Sequence, residues 1–277
     1  MRILIGGDIC FGRVHEGREI HYGKDGCLSD VALVPRDYAI FNLESPLSSK
    51  PRAPKPRGTQ LYGELEDVRH LLEGEIDYVS LANNHTLDGG VKGVDETINT
   101  LDLVGISHSG SGANYLAPHI DEHRKLIIFS IDTVEDEYGL SDPVCCRPNF
   151  EKLTSVEIPW YRQAYPSHLI VCCIHWGEEY VKPTARQKQM GRVLVGCGVD
   201  MVVGNHPHVL QPMETYMGKP IFYSLGNLYF THHDPDSNSR VDTHLACLTL
   251  VEFNGRDYVQ HINYPTWITS GKKMSLL

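Results

Sequence analysis

The sequence predicts an α/β protein in which β-sheets are covered by helices, and three observations carry that prediction. Short apolar runs rich in Ile, Val, Tyr and Phe recur along the chain. Segments with helical apolar spacing fall between them. Almost every run ends abruptly in a cluster of polar, ligand-type residues. Runs of four to seven such residues read as buried strands, and their alternation with helices implies layered packing.

The runs come in this order. Arg2–Ile5 leads into Gly6-Gly7-Asp8, Tyr38–Phe41 into Asn42-Leu43-Glu44, and Ile76–Ala82 into Asn83-Asn84-His85. His168–Ile174 leads into His175-Trp176-Gly177, Val199–Val203 into Gly204-Asn205-His206-Pro207-His208, and Pro220–Ser224 into Gly226-Asn227. One helix is expected over Lys92–Val104, with Val94, Ile98, Leu101 and Val104 on one face and Gly105 as its stop. A second is expected over Thr184–Cys197 after Pro183, its apolar side formed by Met190, Val193, Leu194 and Cys197. In such folds ligands gather at the carboxyl ends of the strands, which is where the polar clusters fall.

Composition narrows the class. The 277 residues carry 25 Lys+Arg against 35 Asp+Glu, a formal charge of −10, with 41% hydrophobic residues. That apolar content supports a real core, and an acidic chain without a basic stripe argues against nucleic acid as partner. No apolar run approaches the ~20 residues that span a bilayer, and Met1 runs directly into Ile3-Leu4-Ile5. A cytoplasmic protein without a membrane span is therefore expected. The eight cysteines include no C-x-x-C and two adjacent pairs, Cys145-Cys146 and Cys172-Cys173, so they read as reduced structural thiols. With no composition break or repeat, a single domain over residues 1–277 is expected. Two stretches, Pro46–Gly58 with Lys50, Arg52, Lys55 and Arg57, and the polar His232–Thr243, read as long loops suited to covering an anionic substrate.

The strand ends together supply Asp8, Asn42, Glu44, Asn84, His85, His175, His206 and His208. Imidazole, carboxylate and amide oxygen in one set suit first-row ions such as Mn, Fe or Zn. Two ions sharing a carboxylate would occupy most of the set, the geometry that clamps attacking and leaving oxygens in hydrolysis. His206 and His208 flank Pro207, so their rings can project to one side.

These motifs resemble a known family. Asp8 in GDICFGR, Asn42-Leu43-Glu44-Ser45-Pro46, Leu81 to Asp88, His175 to Tyr180, and Gly204 to Gln211 followed by Tyr223 to Asn227 are similar to the CapA family. Those are poly-γ-glutamate capsule biosynthesis proteins of the calcineurin-like metallophosphoesterase superfamily. The resemblance runs from about residue 3 to about residue 252 and implies a four-layer αββα sandwich of two mixed sheets flanked by helices.

Carried over by position, the resemblance implies that Asp8 and His208 bind a first divalent ion and that Asn84, His175 and His206 bind a second. Asn42 or Glu44 would bridge them; the spacing leaves both open. His85 would be the proton donor over the substrate and Asp88 the carboxylate that orients it. A metal-bound hydroxide would be the nucleophile, acting on a phosphoester or on a γ-glutamyl or other peptide-like amide. An alternative is a non-catalytic accessory role beside a partner ligase of polymer synthesis. Two positions depart from the wider superfamily: Cys10 stands where a ligand His is usual, with His15 or a Cys10 thiolate as substitutes, and Asn205 stands where many relatives have a further His.

Further residues near these motifs suit substrate contact. Arg13 is placed to meet an anionic group, and Glu178 or Glu179 an amine. Asn227 is placed to hydrogen-bond the substrate or a ligand histidine. Trp176 and Tyr180 read as wall residues, and His232 and His233 as loop histidines near the metals.

Overall fold

Alternation of buried side chains along each central strand decides the architecture. In a computed structural model, residues 1–15, 18–49, 59–113, 116–134, 148–230, 243–268 and 273–277 are described. Strand Arg2–Ile9 turns Ile3 and Ile5 to one face and Leu4 to the other; Leu169–His175 does the same with Leu169, Val171 and Cys173 against Ile170, Cys172 and Ile174. Both strands are therefore buried on two sides. Ile3, Ile5, Ile40 and Tyr78 of one sheet meet Ile128, Val171, Val203 and Phe222 of the other in a shared core. The outer faces are covered separately, one around Leu71 and Leu101 and the other around Leu153, Ile158 and Leu194. Helix, sheet, sheet, helix is the four-layer αββα sandwich that the family resemblance implies.

The first sheet runs Met274–Leu276, Asp257–Ile268, Leu245–Asn254, Arg2–Ile9, Tyr38–Leu43, Tyr78–Ser80, Ser107–Ser109, with Asn227–Tyr229 also paired to Arg2–Ile9. The second runs Leu210–Tyr216, Lys219–Leu225, Met201–Asn205, Leu169–His175, Leu126–Asp132, His119–Asp121. Both sheets are mixed. Arg2–Ile9 is parallel to Tyr38–Leu43 but antiparallel to Leu245–Asn254, and Met201–Asn205 is parallel to both neighbours while Leu210–Tyr216 is antiparallel to Lys219–Leu225. A small third sheet, Arg18–His21, Gly12–His15 and Gln60–Tyr62, stands beside them.

Several boundaries differ from expectation for local reasons. The first strand does not stop at Ile5 but continues to Ile9, through an irregularity between Ile5 and Asp8. Gly7 permits this: a Cβ there would fall 1.8 Å from Gly226 O, so only glycine allows the two backbones to approach. The two helices expected from the sequence span Gly90–Val104 and Ala185–Gly196. Gly105 ends the first in the left-handed conformation at φ 77°. Thr184 caps the second through a reciprocal pair with Gln187. Val193 faces outward at 40% exposure, and Val195 takes the buried place expected of it. Among the described residues no helix is long and apolar enough to cross a membrane. Residues 50–58 and 231–242, with the loop cations, His232 and His233, lie outside the described residues, as do Cys145 and Cys146.

Candidate metal centre

The parallel strands deliver the polar residues to one end of the sandwich. Register sets Asp8 beside both Asn42 and Asn227, and His175 beside Asn205. Asp8, Asn42, Glu44, His175, His206, His208 and Asn227 are all buried. Residues more than two hundred positions apart therefore meet in one place.

Glu44 is the hub. Its Oε1 lies 3.6 Å from His208 Nε2, 3.8 Å from His175 Nε2 and 3.9 Å from His85 Nε2. It belongs to two overlapping donor groups with spacing suited to an ion, Glu44 with His206 and His208, and Asp8 with Glu44 and His175. Neither Glu44 oxygen has a hydrogen-bond partner among the described residues, and neither does His206 Nδ1. Burial, then the neighbouring Asp8 charge, holds the Glu44 carboxyl well above its usual range, and burial also raises Asp8. Burial, with His208 and His85 nearby, pushes the His206 imidazole down to about 3. Buried donors left without partners are costly. Divalent cations would satisfy them, and the mixed oxygen and nitrogen set fits first-row ions.

The other expected donors take distinct positions. Asn42 Nδ2 donates to Asp8 Oδ1 at 2.8 Å, and the His206 N–H donates to Asp8 Oδ2 at 3.2 Å. Asn84 Oδ1 lies 3.0 Å from His175 Nε2. The grouping by distance pairs His206 with His208 and His175 with Asp8, whereas the family pattern pairs Asp8 with His208; Asp8 Oδ2 also lies 3.6 Å from His208 Nδ1. His206 and His208 reach the cluster through left-handed backbone, φ 94° and 56°, a conformation that non-glycine residues rarely adopt outside functional turns. Asn227 Oδ1 sits 2.9 Å from His208 Nδ1 and so fixes that ring with Nε2 toward Glu44.

Beside the donors stands an imidazole–carboxylate pair. His85 Nδ1 lies 2.7 Å from Asp88 Oδ2, and Asp88 is fully buried. The same Asp88 oxygen accepts the Leu61 N–H at 2.6 Å, while Gln60 Nε2 donates to Asp88 O at 2.6 Å. Both donors come from the small third sheet. Arg13, paired opposite Leu61 in that sheet, is 8% exposed and its Nε has no partner among the described residues. A nearly buried guanidinium group is suited to an incoming anion.

Cys10 is not among the donors. Its Sγ donates to Gly12 O at 3.3 Å and packs with Leu61 and Phe230. Burial pushes its thiol up, so a Cys10 thiolate is disfavoured. Glu178 is exposed and lines a separate cavity with Thr133, Arg186 and Gln187. Its neighbour Glu179 is the one whose charge reaches Glu44 and Tyr180. The Tyr180 ring lies 6.0 Å from that of His208, in the wall of the site. Asn83, Gln60 and Leu61 also contribute, without a role assigned from the sequence. Asn83 was visible as the first residue of an Asn-Asn-His run; Gln60 and Leu61 sit in a three-residue strand with no motif.

A family model described as "Bacterial capsule synthesis protein PGA_cap" matches residues 2–232. The PGA biosynthesis protein CapA of Bacillus subtilis (strain 168) is 32% identical over 81% of this chain and 62% of its own length. The capsule biosynthesis protein CapA of Bacillus anthracis is 31% identical over 81% of this chain and 58% of its own length. A probable polyglutamine synthesis accessory protein of Mycobacterium tuberculosis is 28% identical over 69% of this chain and 55% of its own. The chain thus spans about three fifths of the length of the curated relatives it matches. Among solved structures, a novel phosphatase from Mycoplasma pneumoniae superposes with a TM-score of 0.57 at 14% identity, covering 96% of this chain and 92% of that one. A hypothetical protein from Thermus thermophilus gives 0.54 at 16%, covering 96% and 98%.

Proposed function

The chain belongs to the bacterial capsule synthesis family that includes the CapA proteins, and from that premise we propose that it is a metal-dependent hydrolase. The observation that carries this reading is Glu44, a fully buried carboxylate with both oxygens unpartnered among the described residues, shared by two donor groups. A structural carboxylate would have acquired hydrogen bonds, as Asp200 has.

Asp8, Glu44, Asn84, His175, His206 and His208, with Asn42 beside them, would hold two divalent ions such as Mn, Fe or Zn. Such ions supply Lewis-acid charge and bring the pKa of water toward ~7. The protein's own groups do the rest. Arg13 binds the anionic part of the substrate. His85 delivers a proton to the leaving group, and Asp88 holds its Nδ1 so that Nε2 faces the reacting bond. The substrate is a phosphoester, or a γ-glutamyl or other peptide-like amide; the fold favours the first and the relatives' names the second.

The name of the mycobacterial relative supports a second reading, an accessory role alongside a ligase of polymer synthesis. One experiment separates the two. Purified protein is assayed for bound metal and for turnover of phosphoesters and γ-glutamyl peptides, with Asp8→Asn and His85→Ala as controls. Turnover that both substitutions abolish supports the hydrolase. A metal-free protein, inert throughout yet stably associated with a ligase, overturns it in favour of the accessory role.

A further inference from the structure

Asn83 is buried, 1% exposed, at the start of the turn that carries His85 and Asp88. Its amide reaches in two directions. Nδ2 donates to Leu43 O at 2.9 Å, the carbonyl between Asn42 and Glu44, and lies 3.4 Å from Asn42 Oδ1. Oδ1 accepts the His85 N–H at 3.1 Å. One side chain therefore ties the strand end that bears Glu44 to the residue whose Nε2 stands 3.9 Å from Glu44 Oε1. The turn is closed on its other side by the Thr86 hydroxyl, which accepts the Asn83 N–H at 3.2 Å.

We propose that Asn83 is a positioning residue that sets the distance between the His85 imidazole and the Glu44-centred donor cluster. The inference rests on the reading of His85 as proton donor. An amide suits the task because it donates to one segment and accepts from the other with one rigid plane. Aspartate would keep the acceptor for His85 but set a carboxylate against the Leu43 carbonyl. Alanine would lose both contacts and leave buried polar groups unpaired. A displacement near 1 Å at a proton donor is enough to cost about 10²-fold in rate.

The role predicts a pattern that a loss of general stability would not produce. A poor leaving group needs the proton from His85, whereas 4-nitrophenolate or 4-nitroaniline needs it far less. The test uses metal-loaded protein and matched pairs, phenyl against 4-nitrophenyl phosphate and γ-glutamyl anilide against its 4-nitro analogue. Asn83→Ala should lower kcat at least about tenfold more on the poor leaving group, with KM nearly unchanged. Combining it with His85→Ala should add nothing further. Asn83→Asp, which keeps the volume, should show the same pattern more weakly and serves if the alanine variant does not fold. Equal losses on both members of a pair, or additive losses in the double variant, would overturn the proposal.

A readout independent of turnover keeps the inference separate from the hydrolase reading. In nitrogen-15 NMR of the metal-loaded protein, the His85 ring resonances are assigned by their loss in His85→Ala. They should shift or broaden in both Asn83 variants while those of the buried His168, which pairs with Glu122 at the opposite end of the strand that carries His175, stay in place. If the wild type turns over no member of either pair, the hydrolase reading falls and the NMR result alone decides. Unmoved His85 resonances would then refute the positioning role.

Discussion

The Leu61 N–H donates to Asp88 Oδ2 over 2.6 Å, the same oxygen that His85 Nδ1 approaches at 2.7 Å. A backbone donor from the small third sheet thus helps to complete the environment of a carboxylate that also holds an imidazole beside the candidate metal donors. The carboxylate is pinned in place, and the ring it holds turns its other nitrogen toward Glu44.

Replacing Asp88 with Asn should therefore cost rate without costing ions. The amide would match the shape of the carboxylate but not its charge, and it would set an N–H against either Leu61 or His85. A fall in kcat of about 10²-fold is expected, with metal content unchanged. Steady-state kinetics and metal analysis of the same preparation check it. Loss of metal in step with activity would show that Asp88 supports the donor cluster instead.

Acid stability offers an independent check at Glu96. Its carboxylate accepts from Ser48 Oγ, Ser49 N and Ser49 Oγ at 2.7–2.9 Å and pairs with Lys92 at 3.0 Å. The Ser49 hydroxyl first, then the Ser49 amide and Lys92, pull its pKa down to about 2 from an ordinary 4.5. A folded-state value below the unfolded one means the stabilisation is present above pH 4.5 and is lost as pH falls toward 2. Glu96→Gln should lower Tm at neutral pH and flatten its decline across that window. Parallel Tm curves for the two proteins would contradict the assignment.

Asp200 anchors the opposite end of the second sheet. Its carboxylate, fully buried, accepts the Ile170 N–H at 2.9 Å and faces Arg162, Lys219 and Arg256, the last two at 3.1 Å. Removing it with Asp200→Ala leaves three cations without their counter-charge, and a loss of about 3 kcal/mol is expected. Denaturant unfolding measures it, and metal binding by the folded variant should be unaffected because the residue lies just before the strand Met201–Asn205, at the end opposite His206 and His208.

Much of the architecture was legible because burial on both faces demands long apolar runs, and Leu169–His175 or Met201–Asn205 have them. Less legible was the extension of the first strand to Ile9, since two glycines hide a strand that continues only by backbone approach. The third sheet leaves little trace in the sequence because Arg18–His21 is half exposed and Gln60–Tyr62 has only three residues. At the site, residue type named candidate donors, but distance was needed to see that Glu44 is shared by both groups while the Asn42 amide is turned to Asp8. Between Glu178 and Glu179 the chain gives no periodicity to choose by. Gly177 at φ 89° and Tyr180 at φ 63° redirect that loop, and only backbone geometry reveals it.

Equilibrium titration of the metal-free protein with Mn²⁺ or Zn²⁺, repeated on Glu44→Ala, bears on the whole account. Two ions per chain in the wild type, with both lost or greatly weakened in Glu44→Ala, is the expected result. No saturable binding, or binding that Glu44→Ala leaves intact, would contradict a centre built around that carboxylate.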